Sequence, residues 1–211
     1  MSILEEISTL LQQGRAPKVK ELVAQAIEEG ISPKEVLEEG LLSGMSIIGE
    51  KFKNNEVYVP EVLIAARAMN AGVEILKPYL VSQGIEAKGL VVLGTVKGDL
   101  HDIGKNLVKM MMEGKGLKVV DLGVDVSAES FVEAAKEYNA DIIACSALLT
   151  TTMGEMKEVV EKVKASGLGN SVKVMVGGAP VTQSFCESIG ADYYTSDAAS
   201  ASDVALKVCV G

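Results

Sequence analysis

The chain of 211 residues holds a single histidine, His101. It stands in a polar cluster with Asp99 and Asp102, set between Gly98 and Gly104. An imidazole beside carboxylates can bind a metal or move a proton near neutral pH. A lone imidazole narrows the metals. A zinc site takes about four ligands from Cys, His and carboxylate. The three cysteines, Cys145, Cys186 and Cys209, are scattered and form no paired motif. A metal held through one protein imidazole must bring most of its own ligands, as a metal in a macrocycle does. Asp99, two residues before His101, can accept the proton on the other ring nitrogen. That is the usual arrangement behind a metal-bound imidazole.

The elements around the cluster would place it where open parallel sheets bind ligands. Residues 90–93 are apolar and rich in β-branched side chains, which predicts a buried strand. Ile103, Leu107, Val108 and Met111 follow at helical spacing. Strand, polar loop and helix make half of a βαβ unit, with the loop beyond the strand's carboxyl end. The pattern then alternates: strands at 117–122, 141–146, 172–176 and 193–194, helices at 127–138, 153–166, 181–189 and 199–208. This predicts an α/β domain with a five-stranded parallel, doubly wound sheet, Rossmann-like or flavodoxin-like. No GxGxxG is present, so the dinucleotide-binding version is not supported.

The first 85 residues read as helices only. Ser2 and Glu5 form a capping box, as do Ser32 and Glu35. Pro17, Pro33 and Pro60 stand where helices open. Gly14, Gly30 and Asn54-Asn55 stand where they stop. The apolar spacing predicts four helices, the third running to about Phe52 and the fourth to about Leu76, in a small bundle. Residues 83–89, polar with two glycines, read as a linker. The expected domains are 1–85 and 86–211.

Bulk properties set limits. No apolar run reaches the length of a membrane span. The first residues lack the basic and apolar regions of a signal peptide. The unpaired cysteines suit a reducing compartment, so a cytoplasmic protein is expected. The net charge of −9 argues against nucleic acid as a partner.

Asp99-Leu-His101-Asp-Ile-Gly104 resembles the DxHxxG motif of cobalamin-binding proteins. The longer run from Val96 to Val108 is similar to methionine synthase and to the corrinoid proteins of methyltransferase systems. The resemblance implies cobalamin or a related corrinoid bound base-off, with His101 as lower axial ligand to cobalt. Gly98, Asp99, Leu100, His101, Asp102, Ile103 and Gly104 would form that loop of the site. Later strand ends carry matching residues. Ser146-Ala-Leu148 resembles the family's SxL motif, bordering the cofactor's buried tail. Thr150 matches a position at the corrinoid. Thr152 matches a serine that hydrogen-bonds the aspartate, completing a relay Asp99–His101–Thr152; as a threonine before a helix it could equally be an N-cap. Gly177-Gly178 matches a glycine pair that leaves a channel for the tail; a tight turn would use the same pair. Ala198 would touch the macrocycle rim.

Residues 45–69 resemble the helical cap of the same family. Phe52 and Val59 match the residues that press on the upper face of the corrinoid, with valine in place of the usual leucine. The implied function is methyl carriage on cobalt. A substrate-specific methyltransferase would load it from an aromatic methyl ether, methanol, a methylamine or a betaine. A second methyltransferase would unload it to tetrahydrofolate or a thiol coenzyme, with a reductive activator in support. Methyl ethers and folate are the first expectation. The chain holds no catalytic barrel, so a carrier subunit is expected rather than a complete enzyme. The alternative is a cobalamin-binding subunit of a carbon-skeleton mutase, which would share the sheet motifs without needing the helices of residues 1–85. A cobalamin photosensor would need a basic DNA-binding module, and a cobalt-free binding module would need none of the motifs.

Overall fold

Serine and glutamate three residues apart open two of the first helices. In α1 (Ile3–Gln12), the Ser2 hydroxyl accepts the Glu5 N–H at 3.2 Å and the Glu5 carboxylate accepts the Ser2 N–H at 2.7 Å. The Ser32–Glu35 pair opens α3 (Pro33–Glu35) in the same way. The computed structural model describes residues 2–211. Between these two helices lies α2 (Ala16–Glu28), with Pro17 in its first turn. From α3 the chain continues without a break through a π-helical stretch, Val36–Leu42, into α4 (Ser43–Lys53). There the Ser43 N–H bonds the Glu38 carbonyl, five residues back. The sequence pattern shows this only as one apolar helix.

The last helix of this unit, α5 (Val59–Ser82), outruns the expected end near Leu76. Pro78 lies inside it. A proline there removes one hydrogen bond, to the carbonyl of Glu74. Glu74 is exposed, so water can satisfy that carbonyl and the helix continues. Ile7, Leu11, Val19, Val23, Leu41, Met45, Ile48, Val62, Met69 and Leu76 are buried in this unit.

The sheet strands are apolar at consecutive positions because both faces are covered. In β1 (Leu90–Thr95), Val91 and Leu93 enter one core and Val92 the other. The first core includes Met112 of α6 (Ile103–Glu113). β2 (Lys118–Asp121) pairs with β1, and α7 (Ala128–Tyr138) brings Phe131 to the second core. β3 (Ile142–Ser146) repeats the alternation, with Ile142 and Ala144 on the first side and Ile143 and Cys145 on the second. Then come α8 (Met153–Ala165), β4 (Lys173–Gly177), α9 (Gln183–Ile189), β5 (Tyr193–Tyr194) and α10 (Ala198–Val210). Ala201 and Ala205 of α10 join the first core; Val159 and Cys186 of α8 and α9 join the second.

All strand pairs are parallel and the order is β2-β1-β3-β4-β5. That is the flavodoxin-like order of the doubly wound class. Strand limits differ from the sequence pattern by a residue or two, as ladder ends do. The chain divides into two compact units, one up to Ala87 with Gly114–Gly116, the other Lys88–Glu113 with Leu117–Gly211. Among the described residues, no helix is long and apolar enough to cross a membrane.

Candidate functional site

The site begins with a turn that only glycine makes easily. After β1 the chain reverses at Gly98, whose φ of 78° lies in the left-handed region. The Gly98 N–H is held by the Asp125 carboxylate at 2.7 Å. This turn carries Asp99 inward, and its side chain is fully buried.

Asp99 ties two loops together. Its Oδ1 accepts the His101 backbone N–H at 3.1 Å and lies 2.7 Å from His101 Nδ1. Its Oδ2 accepts the N–H of Leu148 at 2.8 Å, the N–H of Leu149 at 3.2 Å and the Thr152 hydroxyl at 2.8 Å. The loop after β1 is thereby fastened to the loop after β3. Crossovers leave these adjacent strands in opposite directions, so the crevice beyond them is the topological switch point of the sheet.

Burial by itself would push the Asp99 carboxyl up. The His101 ring, the Leu148 N–H, the Thr152 hydroxyl and the His101 N–H outweigh that and hold it well below the usual carboxylate range. It is therefore an anion, and an anionic carboxylate only accepts. Nδ1 of His101 must then carry a proton, which leaves the lone pair on Nε2. The ring is half-exposed, at 51%. Leu100 and Ile103 on the same loop are exposed, as are Leu148 and Leu149 on the other. So the two joined loops present apolar side chains and one basic nitrogen. Among the described residues, no group of three His, Cys, Asp or Glu side chains could hold a bare metal ion. The donor set fits a metal that arrives with its own equatorial ligands and a broad apolar surface.

Thr152 stands at the N-cap of α8 but makes no side-chain cap bond. Its hydroxyl also lies 3.0 Å from the Leu149 carbonyl. The single proton goes to the charged acceptor, Asp99, which makes the stronger bond. Thr95, Ser146 and Gly177 lie in register across β1, β3 and β4, so the strand ends form one line. The two glycines of the pair differ. A Cβ on Gly177 would meet only the Thr195 carbonyl, at 3.6 Å. A Cβ on Gly178 would lie 1.8 Å from the Ala147 carbonyl, and φ there is 133°. Gly178 is thus required by backbone contact with the loop after β3, and only Gly177 has room for a Cβ, in ordinary contact with the Thr195 carbonyl. Gly104 and Thr150 are exposed. Asp102 is exposed and accepts from the Asn106 amide at 3.2 Å. Ala198 is buried at the start of α10, behind an Asp197 cap on Ser200. Phe52 and Val59 belong to the other unit, half-buried near the end of α4 and at the start of α5.

Three residues escaped the sequence reading. Thr95 is buried and its hydroxyl donates to the His101 carbonyl at 2.8 Å. Lys105, on α6, is buried, with its ammonium on both oxygens of Asp121 at 2.7 and 2.8 Å. Burial would push the Asp121 carboxyl up, but the Lys105 and Gly123 hydrogen bonds and the nearby lysine charges hold it down. One signal was available: Lys105 lies seven residues before Met112, on the inward face of α6.

This fold and this crevice define a cobalamin-binding protein. A family model described as a B12 binding domain matches residues 89–203, and a second with the same description matches residues 3–77. A corrinoid protein of Desulfitobacterium hafniense is 42% identical over 211 residues, covering 99% of this chain and 98% of the relative. Trimethylamine corrinoid protein 1 of Methanosarcina mazei is 47% identical over 190 residues, covering 89% and 87%. The crystal structure of the methanol:cobalamin methyltransferase complex MtaBC from Methanosarcina barkeri contains a similar chain, with a TM-score of 0.89 and 31% identity over 99% of this chain and 80% of that one. The chain belongs to the corrinoid proteins of methyltransferase systems.

Proposed function

We propose that this chain is the methyl-carrying subunit of a three-part methyltransferase system, holding a base-off corrinoid with His101 as lower axial ligand. The observation that carries the reading is the buried Asp99 carboxylate on Nδ1, which leaves the Nε2 lone pair on a half-exposed ring. When bound, the corrinoid supplies a cobalt that takes a methyl group from one partner and gives it to another. The chain's residues do the rest. Asp99 holds the imidazole in the ligating tautomer. Against a protonated ring, the same Asp99 oxygen would make a charge-assisted hydrogen bond to Nδ1. Thr152 and the Leu148 and Leu149 N–H groups keep that carboxylate ionised. Leu100, Ile103 and Leu148, exposed on the two joined loops, would offer the corrinoid an apolar surface. Gly177 and Ser146 leave passage for the displaced tail.

In this reading residues 1–85 are a cap, with Phe52 and Val59 against the upper face, and residues 86–211 are the corrinoid-binding domain. The first partner is a substrate-specific methyltransferase, and the second serves tetrahydrofolate or a thiol coenzyme. A reductive activator would be the third partner. Likeness to relatives named for trimethylamine and methanol favours those donors over methyl ethers and betaines. The place of action is the cytoplasm.

The test is direct. The purified chain is loaded with hydroxocobalamin, and the visible spectrum of wild type is compared with that of His101→Ala at neutral pH. The variant is expected to keep the corrinoid and change its spectrum. Identical spectra would remove His101 from the metal.

A further inference from the structure

Lys105 is difficult to explain by its own helix. It lies in the first turn of α6, where a cation opposes the helix dipole. It is buried, only 2% exposed. All three ammonium donors are used: Asp121 Oδ1 at 2.7 Å, Asp121 Oδ2 at 2.8 Å and Asn106 Oδ1 at 2.8 Å. No donor is left for a ligand, so a role in binding an anion is excluded.

The bonds beyond Lys105 lead to His101 from two sides. Asp121 Oδ1 also accepts the Gly123 N–H at 2.9 Å. The Gly123 carbonyl accepts the Thr95 N–H at 2.9 Å. The Thr95 hydroxyl then donates to the His101 carbonyl at 2.8 Å. On the other side, the Asn106 amide donates to Asp102, the residue after His101. The backbone of His101 is therefore held at its N–H by Asp99 and at its carbonyl by Thr95, and Thr95 rests on an ion pair.

We propose that Lys105 is a positioning residue for His101, acting through Asp121, Gly123 and Thr95 on one side and Asn106 and Asp102 on the other. The inference rests on the reading of His101 as axial ligand only for its consequence in the loaded protein. In the free protein it concerns the chain alone. Without the ammonium, Asp121 keeps Lys109, at 3.5 Å, as its one cation, and its carboxylate turns from the Gly123 N–H toward water. The Gly123 N–H loses its acceptor and the His101 loop opens more often. With the ammonium in place, the imidazole is aimed before the corrinoid arrives.

Two variants separate positioning from simple support. Lys105→Met removes the cation and leaves Asp121 charged. Lys105→Met with Asp121→Leu replaces the whole pair by apolar side chains, which often restores stability, but still leaves the Gly123 N–H without its acceptor. In the free protein, amide hydrogen exchange is read at His101 and, as the global reference, at Val176 of β4. Both variants are expected to exchange at His101 about tenfold faster relative to Val176, which corresponds to about 1.4 kcal/mol. In the second arm the full chain is loaded with hydroxocobalamin and reduced by one electron. Paramagnetic resonance then reads the nitrogen splitting that an axial imidazole imposes on the cobalt lines. Wild type is expected to show it in full and both variants in a reduced fraction of molecules. The double variant returning to wild type in both arms would make Lys105 merely structural and overturn the proposal. So would a single variant with unchanged exchange at His101. Absence of the splitting in wild type would sink the axial assignment instead, and the exchange arm would still judge Lys105.

Discussion

Replacing Asp99 by asparagine changes one atom and reverses the logic of the site. The carboxylate accepts two bonds from His101 on one oxygen and three from Leu148, Leu149 and Thr152 on the other. An amide has one accepting end. Facing its NH₂ toward Leu148 and Leu149 would set donors against two fixed donors. Facing it toward His101 sets it against one fixed N–H and a ring that can change tautomer. The second orientation wins. Nδ1 then becomes the acceptor and the proton moves to Nε2, which blocks the ligating lone pair. The charge-assisted bond to the ring is worth about 1.5–3 kcal/mol, and a buried N–H left unpaired costs about 1–3 kcal/mol. A loss of about 2.5–6 kcal/mol is expected at pH 7, a large share of a domain's usual total of about 5–15 kcal/mol. The sign with pH follows from the depressed carboxyl of Asp99. Its contribution is present in full above the unfolded value of about 3.9 and drains away as pH falls from there toward the lower folded value. Asp99→Asn should therefore lose less stability than wild type on going from pH 5 to pH 3. Urea unfolding of the free protein at both values measures it. Equal stability at pH 7, with parallel falls in acid, would refute the account.

Thr152→Val should cost about 1 kcal/mol in the same assay, since it removes one hydroxyl from the carboxylate. Adding hydroxocobalamin should then reveal a smaller spectral change than Asp99→Asn gives. Gly177→Val should lower corrinoid affinity, by titration of the free protein, with little change in unfolding, because its Cβ would make only an ordinary contact, 3.6 Å from the Thr195 carbonyl. Gly178→Leu should lower stability first, by at least the 1–3 kcal/mol or so of an overpacked site, since it strikes the Ala147 backbone. A Gly178→Leu protein as stable as wild type would contradict the contact.

Much of this fold is written in local pattern. Capping boxes at Ser2 and Ser32 and runs such as Val91–Leu93 name their elements because one helix turn or one pleat decides them. The order of strands is not local, since it depends on which crossover packs where. The π-helical stretch at Val36–Leu42 also escaped, because apolar spacing blurs a one-residue insertion. At the site, Asp99 and His101 are legible as neighbours two residues apart. Their link to Leu148 and Leu149 is through backbone N–H groups, which every residue carries and no sequence marks. Lys105 escaped for another reason: a buried lysine looks like a surface one until its partner, sixteen residues away on β2, is known. The equivalence of Gly177 and Gly178 was an artefact of adjacency; their backbones point their missing side chains in different directions.

The five bonds on Asp99 also constrain how such a chain can drift over evolutionary time. A descendant that loses His101 to another residue still has four donors for the carboxylate, because the N–H of residue 101 remains. The anion stays satisfied and both loops stay joined. A descendant that loses Asp99 first keeps a histidine whose tautomer nothing fixes and leaves the Leu148 and Leu149 N–H groups without their acceptor, while the Thr152 hydroxyl falls back on the Leu149 carbonyl. The path away from metal ligation is therefore one-way. Lineages holding the aspartate without the histidine should be common among relatives of this fold, and lineages holding the histidine without the aspartate should be scarce.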